Sequence, residues 1–285
     1  HLYDPSKRFP ESLGCPAFPP LTFASHGALR DTGLGRGFSE VVDVPAPSGQ
    51  KYALSPQVLP RMVERIARHE RGSLFVFAHW MDPHYPYDAV TDRGEPFQRY
   101  LAEAELADKN LGELITALEA QGSWPRTVLV VLSDHGEAFG QHGTPYHTVT
   151  LYEELLRVPL VIRIPGASPR RIETPVSLMD LGPTLLDLFG VETPASFLGE
   201  SLLPFARGED PAFTRPIGAE RSGTRALVLG KHKVIVDRER GRDEIYDLEA
   251  DPLETQNLAD DLGAEGQNQI ELVDLFFDTH GLGIH

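Results

Sequence analysis

The feature that most constrains the fold is an unbroken run of β-branched and apolar residues at 127–132, TVLVVL, which ends abruptly in the polar string SDHGE. A run of this kind is typical of a strand covered on both faces, as in a parallel sheet flanked by helices. Side chains that follow such a strand leave the core while their backbone stays fixed. The end of this strand is therefore where we expect a functional site.

Two adjacent side chains at this point are suited to metal binding. Asp134 offers a carboxylate oxygen and His135 an imidazole nitrogen, a ligand pair that divalent cations accept. Gly136 allows the backbone to turn sharply after them. Taken alone, however, the Asp-His dipeptide is more often a helix cap beside a surface histidine. Its interpretation as a metal site depends on the rest of the chain.

A second strand is predicted at residues 74–78, LFVFA, and polar side chains again gather where it ends: His79, Asp82, His84 and Tyr87. Pro83 and Pro86 bracket His84 and stiffen the loop around it, because proline fixes its own backbone angle. From the loop alone, His84 is either a ligand-binding histidine or one that is packed between two prolines.

The remaining elements alternate between helix and strand. Ser55 as N-cap and Pro56 at the first helical position predict a helix that ends near Gly72, and residues 97–121 predict a long amphipathic helix. Residues 225–237 predict two short strands that turn at residues 230–231, followed by another strand at 244–248. We interpret Lys231, His232 and Lys233 as side chains that decorate this turn.

Composition excludes several classes of function. The net charge of −16 argues against non-specific binding to nucleic acid or to an anionic membrane surface. No apolar stretch approaches the ~18 residues needed to cross a membrane. The single cysteine, Cys15, excludes an internal disulfide and a multi-cysteine zinc site. An anionic substrate would have to be attracted by a metal and by local cations.

Three segments, in order along the chain, resemble the sulfatase family of the alkaline-phosphatase-like superfamily. They are HWMDPHYPY at 79–87, SDHGEAFGQHG at 133–143 with its continuation LYEELLRVPLVIRIPG at 151–166, and EIYDLEADPLETQNLA at 244–259. The resemblance implies an α/β fold with a central, mostly parallel sheet flanked by helices and a small C-terminal antiparallel subdomain. It places the sulfatase-like core in residues 1–198 and the subdomain, a β-sheet plus a helix, in residues 199–285.

The resemblance also assigns roles to individual residues. Asp134 and His135 become metal ligands for calcium, manganese or zinc. His84 and His147 become the catalytic pair that contacts the ester oxygens, stabilises the charge that develops on them and can protonate the leaving group. His142 is either a further substrate contact or a residue of the loop surface.

Part of the family pattern does not match this sequence. Family members begin with a strand that carries acidic metal ligands, followed by a nucleophile motif of the form Cys/Ser-x-Pro-x-Arg. Around Cys15 the proline comes one position early and the arginine is missing, so we interpret this segment as a proline-rich loop. The chain is therefore expected to be an N-terminally incomplete fragment that is inactive by itself.

The predicted function is metal-dependent hydrolysis of sulfate esters, with a small-molecule or glycan sulfate or phosphate ester as substrate. One alternative is a phosphoryl transferase or a phosphodiesterase or phosphonate hydrolase of the same superfamily. Another is a non-catalytic binding module that retains the fold. Family resemblance predicts a periplasmic or extracellular location, although the chain carries no targeting signal.

Overall fold

The computed structural model describes residues 9–12, 20–25, 35–70, 72–147, 150–211 and 215–280. The segment around Cys15 lies outside the described residues. The chain falls into two compact units. The first unit comprises residues 1–128, 164–167 and 179–207, and the second comprises residues 129–163, 168–178 and 208–285. The domain boundary expected between residues 198 and 199 stays a prediction.

A three-stranded parallel sheet forms the centre of the first unit. Its strands are β1 (Pro20–Ala24), β2 (Glu40–Asp43) and β3 (Phe75–Ala78), in the order β2-β1-β3. β1 is buried along its whole length, as expected of a central parallel strand. β3 confirms the strand that the sequence predicts at residues 74–78.

Helices cover this sheet with a continuous apolar core. Three helices of the first unit are α1 (Phe9–Ser12), α2 (Ser55–Ala67) and α3 (Pro96–Ala120). Leu21 and Phe23 of β1 pack with Val58 of α2 and Leu114 of α3 in one buried cluster. The predicted helices at 55 and 97 are thus confirmed, but α2 ends at Ala67 instead of near Gly72.

β4 (Leu129–Leu132) lies where the sequence predicts a strand, but its pairing differs from the prediction. It is antiparallel to β5 (Leu160–Arg163), and Leu132 is half-exposed instead of covered on both faces. A parallel pair needs a crossover, usually a full helix. In the described part of the connection, the α-helical segment is a single turn, α4 (Glu153–Leu156), and the chain direction reverses between β4 and β5.

The second unit also contains the C-terminal antiparallel sheet that the sequence predicts. Its strands, in the order β6-β7-β8-β9, are β6 (Ile217–Arg221), β7 (Thr224–Leu229), β8 (His232–Asp237) and β9 (Arg242–Asp247). One face packs against the last helix, where Val234 and Ile245 meet Val273 and Phe277.

The helices not yet bounded are α5 (Leu181–Leu188), α6 (Leu203–Ala206) and α7 (Gly263–His280); α5 and α6 belong to the first unit and α7 to the second. A parallel sheet, flanking helices and a C-terminal antiparallel sheet together confirm the predicted α/β class. Within the described ranges, no helix combines the length and the apolar character that a membrane crossing requires.

Candidate functional site

The loop that follows β3, residues 79–87, is called here the β3 loop, and His84 lies in its middle. The Nδ1 atom of His84 donates to the carbonyl oxygen of Tyr85 at 2.7 Å, and its ring meets the ring of Tyr52 edge to face at 4.9 Å. Tyr87 is buried and packs edge to face against Tyr100 of α3. Backbone and aromatic contacts therefore hold the position of His84.

Asp82 anchors the same loop to the start of α2. Its carboxylate accepts hydrogen bonds from the backbone N–H of Ser55 at 2.6 Å and from the hydroxyl of Ser55 at 2.9 Å. Burial raises the pKa of Asp82, although these hydrogen bonds act in the opposite direction. The sequence predicts Ser55 as the N-cap, but Leu54 occupies that position; Asp82 accepts the N–H of Ser55, and the side chain of Gln57 accepts the N–H of Leu54.

The loop that follows β4, residues 133–147, is called here the β4 loop, and it begins with the predicted metal ligands. The side chains of Asp134 and His135 are 73% and 42% exposed, and Asp134 Oδ2 lies 3.9 Å from His135 Nε2. His135 Nδ1 donates to the carbonyl oxygen of Gly136 at 2.8 Å. In the neutral ring this places the lone pair on Nε2, the atom nearer to Asp134.

His147, at the far end of the β4 loop, returns to this pair. Its ring stacks on the ring of His135 with centroids 4.7 Å apart, and its Nδ1 atom lies 3.1 Å from a carboxylate oxygen of Glu137. Glu137 is nearly buried, so this contact fixes the orientation of the His147 ring. The structure thus brings Asp134, His135 and His147 together.

The middle of the β4 loop folds into a small hairpin with His142 at its tip. Phe139 and Pro145 form an antiparallel bridge, and the N–H of Tyr146 donates to the carbonyl of Ala138 at 2.8 Å. The backbone of His142 has a φ of 50°, in the left-handed region. This hairpin connects the tip of the loop to its base, where Glu137 and His147 lie.

Both ring nitrogens of His142 are engaged within the protein. Nδ1 lies 2.8 Å from a carboxylate oxygen of Glu154, Nε2 lies 3.0 Å from the carbonyl oxygen of Glu254, and the ring stacks on Tyr152 at 3.6 Å. Burial lowers the pKa of His142, but the hydrogen bonds and charges of Glu154 and Glu254 outweigh it and raise the pKa above its ordinary value. A substrate contact for His142 stays a prediction.

Lys233 is completely buried, which contradicts its interpretation as decoration on a turn. Its Nζ atom lies 3.0 Å from a carboxylate oxygen of Glu153 and 2.9 Å from one of Glu254, and its side chain is 0% exposed. Glu254 also accepts the N–H of Glu153 at 2.6 Å, at the start of α4. Burial raises the pKa of Glu254, against the opposing effect of the Lys233 charge. This buried group ties α4 to the C-terminal sheet.

Sequence reasoning missed the roles of Lys233, Glu254 and Glu137. One signal was available for Lys233, since it shares a face of β8 with the buried Ile235 two residues on. No comparable local pattern marks Glu254, since two of its partners, Glu153 and His142, lie 101 and 112 residues before it.

A cavity of about 250 Å³ adjoins the cluster of Asp134, His135 and His147. It is lined by the two histidines, by Glu220 and Arg221 at the end of β6, and by residues of the segment 150–156. Among the residues that the structure describes, no group of three or more His, Cys, Asp or Glu side chains is arranged to hold a metal. The assignment of Asp134 and His135 as metal ligands stays a prediction.

His84 belongs to the first unit, whereas Asp134, His135, His142 and His147 belong to the second. The roles assigned to these five residues stay predictions.

Comparison with known proteins gives the context for this geometry. The family model for Sulfatase matches residues 15–191, more than half of the chain. The uncharacterized sulfatase YidJ of Escherichia coli (strain K12) is 33% identical over 173 residues, which cover 57% of this chain and 34% of that protein. The chain spans about a third of the length of the curated relatives it matches first.

Two solved structures share the fold. A 2-O GAG sulfatase superposes with a TM-score of 0.79 at 18% identity, over 98% of this chain and 75% of that one. The phosphonate monoester hydrolase of Agrobacterium radiobacter superposes with a TM-score of 0.71 at 18% identity, over 92% and 78%. At these identities the similarity establishes the architecture alone.

Proposed function

Because the chain belongs to the sulfatase family, we propose that it takes part in the metal-dependent hydrolysis of sulfate esters. The observation that carries this proposal is the exposed cluster of Asp134, His135 and His147 beside a cavity, within the segment that the family model matches. A purely structural loop has no physical need for such polar side chains at the end of a strand.

Asp134 and His135 are the residues that would hold the metal. The 3.9 Å between Asp134 Oδ2 and His135 Nε2 is short enough for one cation to contact both, since metal–ligand distances are about 2.0–2.6 Å. Calcium, manganese and zinc all accept this donor pair. When bound, such a metal neutralises the negative charge of the ester and acts as a Lewis acid.

His147 and His84 are proposed to act on the ester itself. His147, oriented by Glu137, would donate a hydrogen bond to the anionic oxygens and hold the proton that the leaving group takes up. His84, held by Tyr52 and the Tyr85 carbonyl, would contact the ester oxygens. No Cys/Ser-x-Pro-x-Arg motif occurs in these 285 residues. We therefore propose that the nucleophile and further metal ligands come from elsewhere, and that this chain alone is inactive.

For the substrate we propose a sulfate ester of a small molecule or a glycan. The named relative and the 2-O GAG sulfatase support this proposal. Hydrolysis of a phosphonate or phosphate ester is a second candidate, which the shared fold of the phosphonate monoester hydrolase supports. The family match favours the sulfate ester. A periplasmic or extracellular location stays a prediction from family resemblance.

The test is an assay of the natural gene product and of this 285-residue chain with an aryl sulfate, an aryl phosphate diester and a phosphonate monoester. Each assay is run with calcium, manganese or zinc. We expect the gene product to prefer the sulfate ester and Asp134→Ala to abolish turnover, while Asp108→Ala on the exposed face of α3 leaves it unchanged. A preference for a phosphorus ester would support the second candidate. No turnover with any ester and metal would favour a binding module.

A further inference from the structure

We propose that His142 is a positioning residue for the reaction proposed above, and that its doubly protonated ring clamps the tip of the β4 loop so that Glu137 and His147 stay in place at the base. The inference rests on the proposed function for its role in catalysis. It goes beyond that function because it assigns His142 a charge state and a task that involve no contact with substrate.

The charge state follows from the two acceptors that face the ring. Nδ1 lies 2.8 Å from a carboxylate oxygen of Glu154, and Nε2 lies 3.0 Å from the carbonyl oxygen of Glu254. A carbonyl oxygen accepts hydrogen bonds and never donates them, and so does an ionised carboxylate. A neutral imidazole has a single N–H and would leave one nitrogen lone pair against an acceptor. Both contacts are satisfied only by the imidazolium.

The surrounding charges favour the same state. Three carboxylates belong to the contacts of His142 and Lys233: Glu153 and Glu154 on α4 and Glu254 in the C-terminal segment. Lys233 on β8 pairs with Glu153 and Glu254, so Glu154 has His142 as its partner. With His142 charged, this group contains two cations and three carboxylates. With His142 neutral, Lys233 would be the one cation facing the three carboxylates. That excess of negative charge is unfavourable here, because Lys233 and Glu254 are fully buried. The pKa of His142 is accordingly raised.

The ring of Tyr152 stacks on one face of the His142 ring. The ring planes of His142 and Tyr152 are 3.6 Å apart between centroids and inclined by 11°. A cation over the face of a tyrosine ring is attracted by the negative charge density of that face. The hydroxyl of Tyr152 donates to the buried carboxylate of Glu244 at 2.8 Å, and burial together with that carboxylate raises the pKa of Tyr152 to about 12. The platform therefore stays neutral and fixed.

The clamp acts on the base of the loop through the hairpin. The tip is tied to the base by the Phe139–Pro145 bridge and by the hydrogen bond from Tyr146 to Ala138. The base is attached to α4 separately, since the N–H of Gly136 donates to the carbonyl of Leu155 at 2.8 Å. A Cβ atom at Gly136 would lie 2.1 Å from the carbonyl oxygen of Glu154, so the backbone is already in contact there. Gly136 thus attaches the base of the loop to α4, and His142 attaches the tip.

The experiment measures ring protonation directly, on the 285-residue chain with ¹⁵N-labelled histidine. Long-range ¹H–¹⁵N correlation spectra distinguish an imidazolium from either neutral tautomer. We expect His142, assigned by the loss of its signals in His142→Gln, to carry protons on both nitrogens at pH 7. Glu154→Gln removes the counter-ion and should reduce the protonated fraction. It also serves as the second variant should His142→Gln fail to fold. A single neutral tautomer at pH 7 would overturn the proposal.

Hydrogen exchange tests the positioning task. The amides of Gly140 and Tyr146, which close the hairpin, should exchange at least about tenfold faster in His142→Gln. They should be unchanged in His69→Gln, a matched substitution of a partly exposed histidine in the first unit. Unchanged exchange in both variants would contradict a clamp. In the natural gene product, His142→Gln should lower kcat with little change in KM. An unaffected kcat would overturn the positioning role, whereas failure of the sulfate ester assay would overturn only the function, because the spectra need no substrate.

Discussion

The β3 loop and the β4 loop both follow a strand and both carry predicted site residues, but different forces hold them. The β3 loop is fixed by packed tyrosine rings and by a single buried carboxylate, Asp82, that caps α2. The β4 loop is fixed by a group of buried and half-buried charges around Lys233 and His142. Apolar packing tolerates a change of protonation, whereas a network of charges does not. The conformation of the β4 loop therefore depends on keeping each of these charges paired.

The largest effect is expected from breaking the charge network at its centre. Lys233→Met leaves the carboxylates of Glu153 and Glu254 without their cation, which should lower the free energy of unfolding by about 3–5 kcal/mol. Urea denaturation measures this. Lys231→Met is the matched control, two residues away, because Lys231 pairs with Asp247 at the surface and its loss should have little effect. Equal stabilities of the two variants would show that the buried charges do not hold this unit together.

A smaller effect is expected in the β3 loop. Asp82→Ala removes both hydrogen bonds to Ser55 and should lower the free energy of unfolding by about 1–2 kcal/mol, the range for loss of a helix cap. Asp82→Asn retains one acceptor oxygen and should lose less. Urea denaturation with Asp88→Ala, an exposed neighbour, as the control gives the comparison. A loss as large as that of Lys233→Met would remove the distinction between the two loops.

The smallest expected effect is on the pH dependence of stability, which should differ between the two loops. The pKa of His142 is raised in the folded state, so its contribution is complete below the unfolded value of about 6.5 and is lost as pH rises through the folded value. Burial raises the pKa of Asp82 too, from an ordinary value of about 4, so its contribution is complete below that value and is lost as pH rises through the folded value.

Denaturation midpoints at pH 6 and pH 9 measure this difference. The unsubstituted chain should lose stability between these values, and His142→Gln should lose less. Asp82→Asn should retain the loss, because it leaves His142 and its acceptors on Glu154 and Glu254 unchanged. A pH dependence that His142→Gln leaves intact would assign the effect to another group.

Elements with a local signature were predictable from the sequence. β3 and β4 follow from short apolar runs, and α2 from Pro56 and the spacing of its apolar residues. The partners of these elements were not, because pairing is a property of distant segments. The antiparallel pairing of β4 with β5 and the capping of α2 by Asp82, 27 residues from Ser55, both depend on tertiary contacts.

The same division applies to the site. The proximity of Asp134, His135 and His147 follows from one loop at the end of one strand, which a sequence motif records. The environment of His142 does not follow from a local motif, since the acceptors of its ring lie 12 and 112 residues further along the chain. A histidine that faces two acceptors cannot be distinguished from a surface histidine until those residues are placed in space.

The sequence separation of the contacts around Glu254 and Lys233 also affects the order in which parts of the protein can fold. Glu254 receives hydrogen bonds from Glu153 and His142, 101 and 112 residues before it, and Lys233 reaches back 80 residues to Glu153. Contacts between segments so far apart form late, because a long loop must be closed before they stabilise anything. During synthesis from the N-terminus, the β4 loop and α4 would be made early, but the contact of His142 with Glu254 would stay unmade until residue 254 has emerged. Folding of the C-terminal sheet is thus the step that finishes the site.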